Sequence, residues 1–223
     1  MTTLPTTDLE RQLLSSGASS VIGLDEVGKG AWAGPLVIGA AVLTHDVINA
    51  SNAQQLMGGA RDSKQLSEVK REAMFDHVAT TCGSWAIGAA SHEECDRLGM
   101  NKAQKLATQR ALEQLAHSVD LRSSAAIIDG KWDFVSPHVG RVVTRVKADA
   151  SCLSVSAASV LAKVSRDRMM REFASDFPMW SLDTNKGYPC PKHRVALQGY
   201  GPSAIHRVSW AFMENYVPWL HAS

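Results

Sequence analysis

The sequence predicts an α/β protein: a mixed β-sheet with helices on its faces and a further helical stretch at the C-terminal end. Three observations carry this. Apolar runs of strand length at residues 21–24 and 36–43 are separated by a glycine-rich turn, close enough for a hairpin, and residues 85–90 offer a third early strand. Two later runs, 125–129 and 142–147, are set apart from these by stretches of helical character, and strands gathered early and then separated by helices describe a mixed sheet. From Pro178 onward the chain is rich in proline, glycine and aromatics, which fits loops with one or two helices. The expected division is residues 1–20 as an N-terminal helix and tail, 21–177 as the main domain, and 178–223 as a helical lobe packed on it.

At 223 residues the chain can bury one sizeable core but hardly two full domains. No apolar run approaches the roughly 18 residues of a membrane span, and the start lacks a secretory signal, so a cytoplasmic protein is expected, with a monomer as the default. Cys82, Cys95, Cys152 and Cys190 form no C-x-x-C pair, which favours packed thiols over zinc or disulfides. Residues 1–130 carry 11 Lys+Arg against 15 Asp+Glu and the remainder 12 against 7, so a near-neutral chain hides a basic C-terminal half suited to a polyanion.

Taken in order, Thr7-Asp8-Leu9-Glu10 has capping-box form and predicts a helix through Leu14. After the first two strands, a loop over 44–62 leads to Ser67, a candidate cap for a helix reaching Thr80. Ser91-His92-Glu93-Glu94 is a second capping box, and Asn101 can open a longer helix to His117. Residues 154–173 carry apolar positions 157, 160, 161 and 164 at helical spacing, with Pro178 beyond as a stop. A last helix is expected over 207–216, with Trp180, Trp210 and Trp219 packing the C-terminal lobe.

The acids matter by position. Asp25, Glu26, Asp129 and Asp149 all lie at or just beyond strand ends, where ligand-binding groups of α/β sheets gather. Carboxylates without accompanying His or Cys suit Mg2+ or Mn2+, and two such ions can activate water and stabilise a leaving oxygen on phosphate. Adjacent strand residues point to opposite faces, so Asp25 and Glu26 cannot both aim at one metal unless a bulge intervenes or one uses its carbonyl. Asp167, on the apolar side of its helix, reads better as an ion-pair partner of Arg166 or Arg168 than as a fifth ligand. Residues 23–29 match G-x-x-x-x-G-K, yet Gly30 stands where a P-loop needs Ser or Thr, two acids sit inside the cradle, and Gly34-Pro35 replaces the helix start. A nucleotide triphosphatase is therefore excluded.

The segments Gly23-Leu24-Asp25-Glu26-Val27-Gly28-Lys29-Gly30, Asp62-Ser63-Lys64-Gln65-Leu66-Ser67, Ile127-Ile128-Asp129-Gly130, Lys147-Ala148-Asp149, residues 155–168 and Lys186-Gly187-Tyr188-Pro189 together resemble bacterial type 2 ribonuclease H (ribonuclease HII). The resemblance covers about residues 21–207. It implies an RNase H-like fold with a small C-terminal helical lobe, and a divalent-metal endonuclease acting on RNA–DNA hybrids and on ribonucleotides embedded in duplex DNA. It assigns Asp25, Glu26, Asp129 and Asp149 to two Mg2+ or Mn2+ ions, and Gly28-Lys29-Gly30 to the ribonucleotide 2′-hydroxyl and its phosphate. Lysine stands there in place of the commoner arginine, which keeps the charge and loses the planar fork. Tyr188 is implied to stack on the deoxyribose after the ribonucleotide, and Cys190 departs from the Thr often found after Gly-Tyr-Pro. Ser63, Lys64, Lys163, Lys186 and Arg194 are candidates for phosphate contacts, with a solvated surface role as the alternative for each.

Overall fold

A computed structural model of the chain describes residues 4–60 and 67–217. Five strands, β1 Val21–Val27, β2 Leu36–Leu43, β3 Cys82–Ala90, β4 Ala125–Asp129 and β5 Arg141–Arg145, form one sheet in the order β3-β2-β1-β4-β5. β2 pairs antiparallel with β1 and β3, while β1, β4 and β5 run parallel. The sheet is mixed because a short turn can join β1 to β2, whereas a parallel return to β4 needs a crossover through helices.

The pleat of β1 sorts its side chains between two helical layers. Ile22 and Leu24 join Ile38, Ala40 and Ile128 against Ala103, Ala107, Ala111 and Leu112 of α6 (Met100–Leu115). Val21 faces the other way, with Ala125 and Ile127, toward Cys152 and Val155 at the start of α7 (Leu153–Asp176). Each such large apolar side chain contributes roughly 1.5–3 kcal/mol of burial. Helix α7 lies on the sheet at backbone contact: a Cβ on Gly23 would stand 2.2 Å from the carbonyl carbon of Ser154. Small residues on its inner face, Ser154, Ala157 and Ala158, permit that approach.

Local signals hold where the polar group has nothing better to bond. The Ser91 capping box forms on α5 (His92–Leu98), and Ser67 Oγ accepts from Lys70 N on α4 (Glu68–Thr81). The Thr7–Glu10 box does not form. Thr7 Oγ1 donates to Ile48 O at 2.8 Å, and Glu10, fully buried on α1 (Asp8–Ser15), accepts from Ser154 N at 2.9 Å and Ser154 Oγ at 2.7 Å. Its carboxylate thus caps α7 instead of its own helix, and desolvation raises its pKa.

Other boundaries shift for visible reasons. The expected 44–62 loop holds two short helices, α2 His45–Asn49 and α3 Ala53–Leu56, the first capped by Thr44. β5 ends at Arg145, before Lys147 turns left-handed at φ 58°. α7 runs past Phe173 to Asp176, and Pro178 then opens a 3-10 turn. Two further helices follow, α8 Leu182–Asn185 and α9 Pro191–Tyr200. The last, α10, spans only Ala211–Tyr216, because Arg207 N bonds Trp32 O and Val208 N and Ser209 Oγ are taken by Asp96. The C-terminal helices close over Trp32, with Leu197, Met213 and Val217 buried and Trp180 packed alongside. Trp210 lies against Phe212 and Arg207, whereas Trp219 falls outside the described residues.

All four cysteines are free thiols, three of them buried. Cys190 is the N-cap of α9, its sulfur accepting from His193 N at 3.4 Å. Oxygen is the stronger acceptor, so Cys190→Thr is expected to stabilise the fold by about 0.5–1 kcal/mol. A urea midpoint that stays put or falls would contradict this. Among the described residues no helix is long and apolar enough to cross a membrane.

Candidate active site

Three of the four acids come to one corner of the sheet. The parallel register of β1 and β4 ends at Leu24↔Ile128, so the next residues, Asp25 and Asp129, lie abreast at the strand ends. By alternation from Val21 and Ile127, both belong to the α7 face. Asp129 Oδ1 accepts from Ala148 N at 2.8 Å, which fixes the 3-10 turn Ala148–Ala150 carrying Asp149 just ahead of α7. Asp25 and Asp149 are 3% and 5% exposed, and a carboxylate buried that far is costly unless its charge is compensated.

Glu26 lies on the other face. The β1–β2 register runs unbroken through Asp25↔Gly39, Glu26↔Ile38 and Val27↔Val37, so the bulge considered for this point is not there. The Glu26 side chain therefore meets α6, where Gln104 Nε2 donates to its Oε2 at 3.0 Å. Lys29 Nζ bridges the pair, 3.1 Å from Gln104 Oε1 and 3.7 Å from Glu26 Oε1.

The turn after β1 carries Gly28-Lys29-Gly30 to the same corner. Gly28 sits at φ +88°, and a Cβ there would stand 2.2 Å from Arg166 Nε, so only glycine fits. Its N–H donates to the hydroxyl of Tyr188 at 3.0 Å, which joins two motifs 160 residues apart. Tyr188 is half-buried, with the Arg166 guanidinium 5.3 Å and Lys163 Nζ 5.8 Å from its ring centre. Around Gly30 the space a Cβ would occupy is open. The chain passes from this turn into β2, not into a helix, so no P-loop is formed.

The basic candidates fare differently. Lys163 and Arg71 pair with Asp167 at 2.7 Å and 3.6 Å, so Asp167 is an ion-pair residue, though not of Arg166 or Arg168. Arg168 instead binds Glu72 at 2.9 Å. Lys186, buried in the left-handed region at φ 51°, is held by Glu68 at 3.2 Å and by Asp183 O. Arg194 is exposed, stacked over Tyr216 at 5.7 Å. Ser63 and Lys64 lie outside the described residues.

Two arginines hold this corner together, Arg166, expected from the sequence only as a partner of Asp167, and Arg207. Arg166, fully buried, donates to Pro35 O at 2.9 Å, Ala33 O at 3.0 Å and Lys186 O at 2.8 Å. Arg207, equally buried, donates to Gly34 O at 3.0 Å and Lys29 O at 3.1 Å. Burial pushes the Arg166 pKa down to about 10, which leaves it cationic at neutral pH. The signal that could have found Arg166 is the stripe Val155-Ser159-Ala162, which leads to it at helical spacing along the buried side of α7.

The donor set is all oxygen. Among the described residues no group of three or more His, Cys, Asp or Glu side chains is placed to hold a metal ion. Carboxylate oxygens are the donors a hard divalent ion takes, alongside waters and phosphate oxygens.

The sequence model of the family described as Ribonuclease HII matches residues 22–213. Ribonuclease HII of Streptomyces avermitilis is 41% identical over 219 residues, covering 97% of this chain and 88% of its own. That of Paracoccus denitrificans is 40% identical, covering 93% and 92%. Among solved structures, ribonuclease H2 from Pyrococcus horikoshii superposes with TM-score 0.72 at 27% identity, covering 92% of this chain and all of that one. A ribonuclease HIII crystallised with Mn2+ shares the fold at TM-score 0.68 and 19% identity, over 98% of this chain and 75% of its own. The chain belongs to the ribonuclease HII family, nucleases that hydrolyse RNA in RNA–DNA hybrids.

Proposed function

We propose that the chain is a divalent-metal endonuclease that cuts 5′ to a ribonucleotide, both in RNA–DNA hybrids and at single ribonucleotides within duplex DNA, leaving 3′-hydroxyl and 5′-phosphate ends. The observation that carries this reading is the hydrogen bond from Gly28 N–H to the Tyr188 hydroxyl, in the turn that follows the strand bearing Asp25. It ties a glycine turn that is open at Gly30 to an aromatic ring, which supports a reading in which the two meet one nucleotide step. The 2′-hydroxyl distinguishes RNA from DNA, and a ring stacked on the following sugar completes the reading of a junction.

Asp25, Asp129 and Asp149 supply side-chain oxygens for two Mg2+ or Mn2+ ions, and Glu26 takes part through its carbonyl, the route left by an unbroken strand. The Mn2+ held by the ribonuclease HIII relative supports this choice of metal. Such ions, when bound, activate water for in-line attack on the phosphate and stabilise the leaving oxygen. Gly28, Lys29 and Gly30 hold the ribose and its phosphate, Tyr188 sets the register, and Ser63, Lys64 and Arg194 contact the flanking backbone, whereas the ammonium groups of Lys163 and Lys186 are engaged by Asp167 and Glu68. The protein serves to remove misincorporated ribonucleotides and RNA primers, acting as a cytoplasmic monomer.

A hybrid-binding module without activity would be expected to lack at least one acid, and none is missing. A DNA duplex containing one ribonucleotide should be cut at its 5′ side with Mg2+ and left whole with EDTA. Equal cutting of an all-DNA duplex would refute selection by the 2′-hydroxyl.

A further inference from the structure

Behind Tyr188 lies a chain of buried polar groups that the chemistry above leaves unused. Ser203 N donates to His206 Nδ1 at 2.9 Å with Ser203 Oγ 2.7 Å from the same nitrogen, His206 Nε2 lies 2.8 Å from His193 Nε2, and His193 Nδ1 lies 3.0 Å from Tyr188 O. The proton positions follow by elimination. A backbone N–H can only donate and a carbonyl can only accept, so His206 carries its proton on Nε2 and His193 carries its own on Nδ1. Every bond of the chain then points the same way, from Ser203 to Tyr188. Both imidazoles are buried, His193 at 0% and His206 at 1% exposure, with Trp32 and Trp180 against them at 5.5 Å and 5.8 Å. Burial also lowers the pKa of each, that of His206 to about 3, so both are neutral at pH 7 as the chain requires.

The chain ends on the main chain of Tyr188, while the hydroxyl of the same residue is held by Gly28 N–H. Tyr188 is therefore fixed at both ends. One anchor is in the turn after β1 and the other in the C-terminal helices, with the Gly187 carbonyl additionally held by Trp32 N at 2.8 Å. We propose that His193 and His206 are positioning residues for junction recognition, setting the height of the Tyr188 ring over the nucleotide step through the Ser203–His206–His193 chain. This rests on the reading of Tyr188 as the group that meets the sugar after the ribonucleotide. Misplacement by about 1 Å at a reacting or recognition group can cost up to about a hundred-fold, so a rigid anchor has something to protect.

A double-mutant cycle tests it. His193→Phe keeps an aromatic ring among its neighbours and removes both hydrogen bonds. It is expected to raise KM for a one-ribonucleotide duplex by about tenfold with kcat changed less than about twofold. In a Tyr188→Ala background the same change should move KM by less than about twofold, because the group it positions is gone. An equal effect in both backgrounds would mean that His193 merely supports the lobe, and would overturn the proposal. His206→Leu cuts the chain at a second point and should behave alike. Nitrogen NMR of the imidazoles gives a readout independent of activity: protons on His206 Nε2 and His193 Nδ1 are expected, and the opposite tautomers would also overturn it. A wild-type protein that ignores the single ribonucleotide yet shows the expected tautomers would instead remove the reading of Tyr188 on which the proposal rests.

Discussion

Asp25→Asn is expected to lower cleavage of a one-ribonucleotide duplex by about a thousand-fold or more while the duplex stays bound. Asparagine has the same shape and keeps an oxygen to accept from Glu26 N–H, as Asp25 Oδ1 does at 2.9 Å, so the strand end should hold. What it loses is the charge. Asp25 is the buried acid abreast of Asp129, and a neutral amide there cannot offset a divalent ion. On the proposed reading binding rests on the Gly28 turn and Tyr188, which the substitution leaves alone. Gel-shift affinity and single-turnover cleavage would separate the two effects, and a variant that cuts at the wild-type rate with Mg2+ would sink the assignment of the acids.

Arg166→Met is expected to destabilise the fold by about 3–5 kcal/mol, since it strips donors from buried carbonyls that cost about 1–3 kcal/mol each when left unmet. The carbonyls are those of Pro35, Ala33 and Lys186, which belong to the turn after β1 and to the segment leading into Tyr188. Methionine fills most of the volume, so the loss reports the hydrogen bonds more than a cavity. Arg166→Lys should rescue little, because one ammonium cannot reproduce a planar fork aimed at three acceptors. Urea unfolding would decide it; a change under about 0.5 kcal/mol would show that the three carbonyls find other partners.

What was legible in the sequence was local or periodic. The hairpin of β1 and β2, the Ser91 and Ser67 caps and the acids at strand ends each depend on residues within a few positions of one another. What was not legible was the choice of partner across the fold. Glu10 sits where a capping box would use it, yet a buried helix N-terminus 144 residues away competes and wins. Lys186 sits in a motif that suggests phosphate, but its neighbour Glu68 claims the ammonium. The side of the sheet taken by Glu26 could be read from the pleat, whereas Gln104 as its partner could not. Buried arginines and a histidine pair bonded to main chain leave almost no mark, because a carbonyl acceptor has no sequence identity.

The long reach of Arg207 bears on when the enzyme comes into being. The carbonyl of Lys29 is held by a side chain made 178 residues later, and at about 5–20 residues per second that interval lasts about 9–36 s on the ribosome. During that time the acids of β1 already exist, and Arg166 and Tyr188 can reach the turn beside them, but the carbonyl of Lys29 still lacks its donor. Loop-closure entropy over so long a span also makes this one of the last contacts to form. The turn that carries Gly28-Lys29-Gly30 therefore reaches its full set of bonds only once Arg207 has been made, so the acids of β1 wait on a residue far downstream.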